Sequence, residues 1–200
     1  MERRFNARAE VRIDDGGDKP VIRGVGAVYY DGTPDTEYEI WEGVRERIMP
    51  GAFDRALKDG DDVRGLFNHD PSQVLGRTSA GTMKLSADSE GLHYEIEPGD
   101  TTVARDVLEH LRRGDVSGSS FAFQVSDEEW RKEDGVEIRE ISGFSGVFDT
   151  GPVTYPAYDA TTAGVRSAGD ANEARSSYDA WKRERDAKAT QAYIDQTRKV

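Results

Sequence analysis

Val116-Ser117-Gly118-Ser119-Ser120-Phe121-Ala122-Phe123-Gln124-Val125 reads as a strand leaving a Gly/Ser turn. Alternation sets Ser119, Phe121, Phe123 and Val125 on one face, the expected core face, and Ser120, Ala122 and Gln124 on the other. Runs of the same kind recur outward from this segment. Residues 21–30 form a β-run broken by Gly24 and Gly26, glycines that mark bends or close backbone approach. Tyr38, Ile40 and Trp41 suggest a second strand, and residues 63–68, 73–78 and 82–86 suggest three more. Leu92, Tyr94 and Ile96 alternate with His93, Glu95 and Glu97, so this strand has one wet face, and Asp88-Ser89-Glu90-Gly91 before it signals a hairpin. Residues 136–141 and 144–154 complete the strands. Two short helices interrupt them. One runs from Ala52 to about Lys58 after Pro50 and stops at Gly60. The other is capped by Asp100 or Thr101, presents Val103, Val107, Leu108 and Leu111 on one face, and ends at Gly114. The expected fold is mainly β with a few helices (α+β), a closed or strongly bent β-barrel.

The chain has 200 residues, room for one ordinary domain and an extension. It lacks cysteine, which excludes disulfides, thiolate metal sites and cysteine nucleophiles. The formal net charge is −12, which argues against a general attraction to nucleic acid or anionic membranes. Composition shifts near Gly164. Residues 164–200 carry 8 basic and 6 acidic side chains, so the acidity belongs to residues 1–163. We therefore expect a folded domain over 1–163 and a polar, helical or disordered tail over 164–200. Ser176 or Ser177 would cap a tail helix whose apolar stripe is only Tyr178, Trp181 and Tyr193. The first residues are charged and no stretch is apolar enough to span a bilayer, so a cytoplasmic location is expected, without membrane attachment.

Three histidines limit the chemistry. His69, His93 and His110 lack metal-site spacing, so no metal or cofactor is expected. His110 lies near the apolar face of its helix and reads as partly buried. His93 falls on the wet face of its strand. His69 ends a strand at the turn Asp70-Pro71 and is placed to act as a base. Among hydroxyls, Ser120 points away from the expected core beside the small Ala122, and nearby backbone N–H groups would suit an oxyanion. An ordinary Gly/Ser turn accounts for the same residues.

Several blocks together resemble the prohead maturation proteases of tailed bacteriophages. They are Glu46-Arg47-Ile48-Met49-Pro50-Gly51-Ala52-Phe53, Leu66-Phe67-Asn68-His69-Asp70, Val74-Leu75-Gly76-Arg77-Thr78, Gly91-Leu92, residues 113–123 around Ser120, and residues 149–158 beginning Asp149-Thr150-Gly151-Pro152. The resemblance implies serine proteolysis on an assemblin-like β-barrel. It places the histidine on His69 and the serine on Ser120, with Ser119 where an apolar residue is more usual. The acidic position falls on Asp149, although Thr150-Gly151 departs from the commoner Val-Ser.

A serine needs a neutral imidazole beside it, and the imidazole needs a third group to orient it. Assemblins use a second histidine located after the serine, and this chain has none after His110. A carboxylate is the simpler choice. Asp149 is the candidate and Asp70 the rival, the latter disfavoured because neighbours on an extended chain point to opposite sides. Arg77 would position substrate or form a salt bridge. The resemblance further implies a scaffolding protein or the scaffolding segment of a major capsid protein as substrate, self-cleavage, a possible homodimer, and a location inside the assembling procapsid in the host cytoplasm. The alternative is a non-catalytic β-rich scaffold or capsid-assembly module, which has no need of a His69–Ser120 pair.

Overall fold

The computed structural model describes residues 1–17, 19–154 and 172–197. The described residues form β1 (Glu2–Asp14), β2 (Val21–Val28), a 3-10 turn (Pro34–Thr36), β3 (Tyr38–Trp41), β4 (Val44–Ile48), α1 (Asp54–Asp59), β5 (Arg64–Leu66), β6 (Val74–Arg77), β7 (Met83–Ala87), β8 (Gly91–Ile96), α2 (Thr102–Arg113), β9 (Gly118–Glu133), β10 (Val136–Val153) and α3 (Asn172–Thr197). The protein is mainly β with few helices, as its alternation predicts.

The strands join in the order β3-β4-β10-β9-β1-β2-β8-β7, with β5 branching from β10 and β6 pairing with β5. This is an open, bent sheet, which corrects the expectation of a closed barrel. The outer strands β3 and β7 are not neighbours in the ladder. The branch strand β6 approaches β7, but the ladder stops there. The Arg77 N–H donates to the Thr82 hydroxyl at 3.0 Å instead of to a strand carbonyl, and Thr82 N–H returns a single bond to Arg77 O at 3.2 Å. A side chain thus takes the place of the next ladder rung. Register shifts in β1 between Phe5 and Glu10, and in β10 around Gly143 and Gly146, bend the sheet.

Phe121 and Phe123, the core face of β9, meet Phe53 and Phe144 in one aromatic cluster. Ring centroids lie 4.7 Å apart for Phe121–Phe123 and 4.7 Å for Phe53–Phe144. Each fully buried side chain of this size contributes about 1.5–3 kcal/mol. Helix α2 packs Ala104, Val107, Leu108 and Leu111 against this core. Thr101 caps it by accepting from Ala104 N–H at 3.1 Å, and Gly114 closes it with φ +76°. Close approach explains Gly24, where a Cβ would lie 2.4 Å from the Tyr94 ring.

Two elements exceed the sequence reading. The β9–β10 hairpin runs on past Ser126 to Asp134-Gly135, whose φ values of +49° and +87° suit a tight two-residue turn. The charged N-terminal segment is a full strand, β1, although its buried positions include Glu2 and Arg4. Their charges are met by Glu46 and Arg139. Arg139 donates to Glu2 at 2.8 and 2.9 Å and to Glu46 at 2.8 Å, and Arg4 Nε lies 2.7 Å from Glu46.

The polar C-terminal residues form α3, which starts at Asn172, ahead of Ser176 and Ser177. Ala174 is fully buried and packs with Ile40, Val44 and Trp130, while Tyr178 and Trp181 pack against the same cluster. Trp130 Nε1 donates to Ser177 Oγ at 3.1 Å. The expected boundary between residues 163 and 164 lies outside the described residues, as does the side chain of Tyr193. Among the described residues no helix is long and apolar enough to cross a membrane.

Candidate active site

Ser120 sits near the start of β9 between two strands. Phe5 of β1 faces it on one side and Gly151 of β10 on the other. Asp149 lies on β10, opposite Ala122. Ser120 and Ala122 are two residues apart on one face of β9, which brings Asp149 to the same side. The third residue arrives from elsewhere. β5 runs parallel to the end of β10, with Asp149 opposite Arg64 and Thr150 opposite Gly65. The chain then leaves β5 at Leu66 and turns back over β10, carrying His69.

That turn is held by the side chain of Asn68. Both Asn68 and His69 have φ +56°, a left-handed conformation that costs most L-residues about 1–2 kcal/mol and that Asn tolerates best. Asn68 N–H donates to Pro152 O at 3.0 Å. Its side-chain oxygen accepts from Thr154 N–H at 2.8 Å, and its amide donates to Thr154 Oγ1 at 2.9 Å. The loop is thereby fastened to the end of the strand that carries Asp149.

The result is a row of three polar groups. His69 Nε2 lies 2.7 Å from Ser120 Oγ, and His69 Nδ1 is hydrogen-bonded to the Asp149 carboxylate on the other side of the ring. With the carboxylate on Nδ1, the neutral imidazole carries its proton there and turns a lone pair towards the serine. Ser120 and Asp149 are each only 6% exposed. Low local polarisability strengthens such a network relative to the same groups in water. The arrangement can deprotonate a hydroxyl as it attacks a carbonyl and hold the resulting imidazolium.

Neighbouring residues account for the sequence departures. Ser119, on the core face, shares a 2.7 Å hydrogen bond with Tyr94 OH, so a buried phenol finds its partner where an apolar residue is more usual. Thr150 is fully buried and donates to Ser120 O at 3.0 Å, bracing the backbone of the serine. At Gly151 a Cβ would meet Leu66 O at 2.2 Å, so β5 approaches β10 only because residue 151 has no side chain. The roles of Asn68 and Thr150 go beyond what the sequence reading assigns. Asn68 had a detectable signal, an Asn at a strand end before a turn.

The remaining expectations resolve as follows. Asp70 turns away from His69. Its carboxylate accepts from Ser72 N–H at 2.8 Å and Ser72 Oγ at 2.7 Å, and these bonds hold it below the usual carboxylate range. Arg77 forms a forked salt bridge with Asp62, at 2.9 Å through Nε. His110, expected to be partly buried, is exposed beside Asp115 at 3.5 Å. At 3.6 residues per turn it falls beside the half-buried Val103, off the stripe of Ala104, Val107, Leu108 and Leu111 that α2 buries. His93 meets Asp88 at 2.9 Å on the β7–β8 hairpin. Asp88, Glu90 and His93 are the metal-ligand types that come together among the described residues. Asp88 there serves the turn, accepting from Glu90 N–H at 2.7 Å.

A family model described as caudovirus prohead serine protease matches residues 7–175, a span that includes His69, Ser120 and Asp149. No curated protein and no solved structure shows a significant match.

Proposed function

The chain belongs to the caudovirus prohead serine protease family, and from that premise we propose that Ser120, His69 and Asp149 are its catalytic nucleophile, base and orienting carboxylate. It is a serine peptidase of phage prohead maturation. The observation that carries the residue assignment is the ordered row Asp149–His69–Ser120, with Nδ1 on the carboxylate and Nε2 at 2.7 Å from the hydroxyl.

In this reading Ser120 Oγ attacks the scissile carbonyl carbon while His69 Nε2 takes its proton. The C–N bond breaks as the imidazolium returns that proton to the leaving amine. A water molecule then attacks the acyl-serine, His69 takes its proton, and Ser120 is released as the hydroxyl. Asp149 stays ionised throughout, holding the Nδ1–H tautomer and stabilising the imidazolium.

We propose as substrates a scaffolding protein or the scaffolding segment of the major capsid protein, and the enzyme itself. The site of action is the interior of the assembling procapsid in the host cytoplasm. Residues 164–200 serve as a docking segment or are trimmed by self-cleavage, and pairing of two copies is part of the same reading. Co-expression of Ser120→Ala with the capsid protein tests it. Shells should assemble from unprocessed subunits. Normal processing in that variant would remove Ser120 from the mechanism.

A further inference from the structure

Ser120 is hydrogen-bonded to His69 and also to the protein's own N-terminal segment. Its Oγ donates to Arg4 O at 2.9 Å. Residues 2–5 pair antiparallel with β9, with Glu2 opposite Phe123, Arg3 opposite Ala122, Arg4 opposite Phe121 and Phe5 opposite Ser120. The register then breaks and resumes only at Glu10 opposite Gly118, while pairing with β2 begins at Val11. Glu2–Phe5 is therefore a short segment whose backbone pairs with β9 and which an irregularity separates from the rest of β1. It also lies outside the family match over residues 7–175.

We propose that Glu2–Phe5 is a resident peptide on the edge of β9 that masks Ser120, and that this edge is a binding site for an extended peptide with the same acidic-x-basic alternation. The inference rests on the reading of Ser120 as nucleophile.

Two effects follow from the Arg4 carbonyl. It covers the hydroxyl of a residue that is only 6% exposed, so a polypeptide reaches Ser120 only after the segment leaves. It also competes for the single hydroxyl proton. A proton donated to Arg4 O is not donated to His69 Nε2, and the base then faces an oxygen lone pair. The serine is disarmed as well as covered.

The edge has a recognisable chemistry. Glu2 and Arg4 project to the face opposite Ser120, where Arg139 receives the carboxylate at 2.8 and 2.9 Å and Glu46 receives the guanidinium at 2.7 Å. Withdrawal takes away one charge of each sign. Arg139 keeps Glu46 at 2.8 Å and Glu128 at 2.5 Å, so neither buried group is stranded. The site can therefore open without leaving an unpaired charge.

The test measures the rate at which a small fluorophosphonate probe modifies Ser120. Full-length chain is compared with a chain lacking residues 2–5, with Ser120→Ala as the unlabelled control. A mostly closed segment scales the rate by its open fraction, so the deletion should raise labelling about tenfold or more. Synthetic peptide covering residues 1–6 should restore slow labelling in trans, and the same peptide carrying Glu2→Ala and Arg4→Ala should not. Equal rates for the two chains, with the label on Ser120, would overturn the inference. Labelling of neither would overturn the nucleophile assignment and the inference with it. If the deletion fails to fold, Arg3→Cys with Ala122→Cys decides in a chain otherwise free of cysteine. Labelling should be slow when that pair is oxidised and fast when it is reduced, and equal rates would refute the mask.

Discussion

His69 Nε2 and Ser120 Oγ stand 2.7 Å apart although the residues are separated by 51 positions in the chain. Two strand pairings close that gap: β5 alongside the end of β10, and β10 alongside β9. The third residue, Asp149, belongs to the strand between them. Asp149→Asn should preserve this geometry and leave the imidazole in the wrong tautomer, lowering turnover by about 10⁴-fold. Asp70→Asn keeps an acceptor for Ser72 and should cost less than about tenfold. Turnover of the two variants on capsid-derived peptide checks the order, and equal losses would displace Asp149.

Asn68 combines a left-handed backbone with three side-chain bonds to Thr154. Asn68→Gly keeps the backbone freedom and loses the bonds. Asn68→Ala loses the bonds and adds a left-handed penalty of about 1–2 kcal/mol. Turnover should fall in the order Asn, Gly, Ala, and thermal unfolding should show the larger drop for Ala. An Ala variant as stable as the Gly variant would show that the turn relaxes.

The buried cluster of Glu2, Arg4, Glu46 and Arg139 predicts an acid dependence. Burial pushes the Glu2 carboxyl up, but hydrogen bonding from Arg139 and the charges of Arg4 and Arg139 outweigh it and hold the group below its ordinary 4.5. The stability this contributes is complete above 4.5 and is lost as pH falls through the lowered folded value. Denaturant titrations at decreasing pH should show a steeper loss for wild type than for Glu2→Gln. Arg139→Met leaves Arg4 as the one cation against two fully buried carboxylates and should cost about 3–5 kcal/mol near neutral pH. A parallel acid limb in Glu2→Gln would exclude Glu2 as a source of the effect.

Helix α3 is polar, and its docking depends on a few aromatic contacts. Trp130 packs on Tyr178 at 5.2 Å and on Trp181 at 6.1 Å between ring centroids. Pairs of this kind contribute about 0.5–1.5 kcal/mol each beyond area burial. Trp130→Ala should speed amide exchange across residues 172–197 while the strands that carry the aromatic cluster stay protected. Uniform loss of protection would mean that α3 and the sheet unfold as one unit.

These elements also show where sequence was readable. The core face of β9 and the limits of α2 follow from local alternation, a Thr cap and a terminal Gly. The site residues needed more: His69 and Ser120 stood out by position, and resemblance was required to join them with Asp149. β1 escaped notice because Glu2 and Arg4 are charged, and they are buried only because Glu46 and Arg139 lie far along the chain to meet them. The outer half of the β9–β10 hairpin escaped for a different reason. Residues 127–133 are exposed apart from buried Trp130 and half-buried Glu128, and their strand form comes from the partner across Asp134-Gly135. The Arg4 contact to Ser120 had no local signal, since a backbone carbonyl has no sequence signature.

The central claim is that Ser120 is a nucleophile driven by His69. Prolonged exposure of the full-length chain to a fluorophosphonate, followed by peptide mass mapping, tests it most directly. The account predicts one adduct, on Ser120, that is absent from His69→Ala. An adduct on another hydroxyl, or labelling of Ser120 that persists undiminished in His69→Ala, would contradict it.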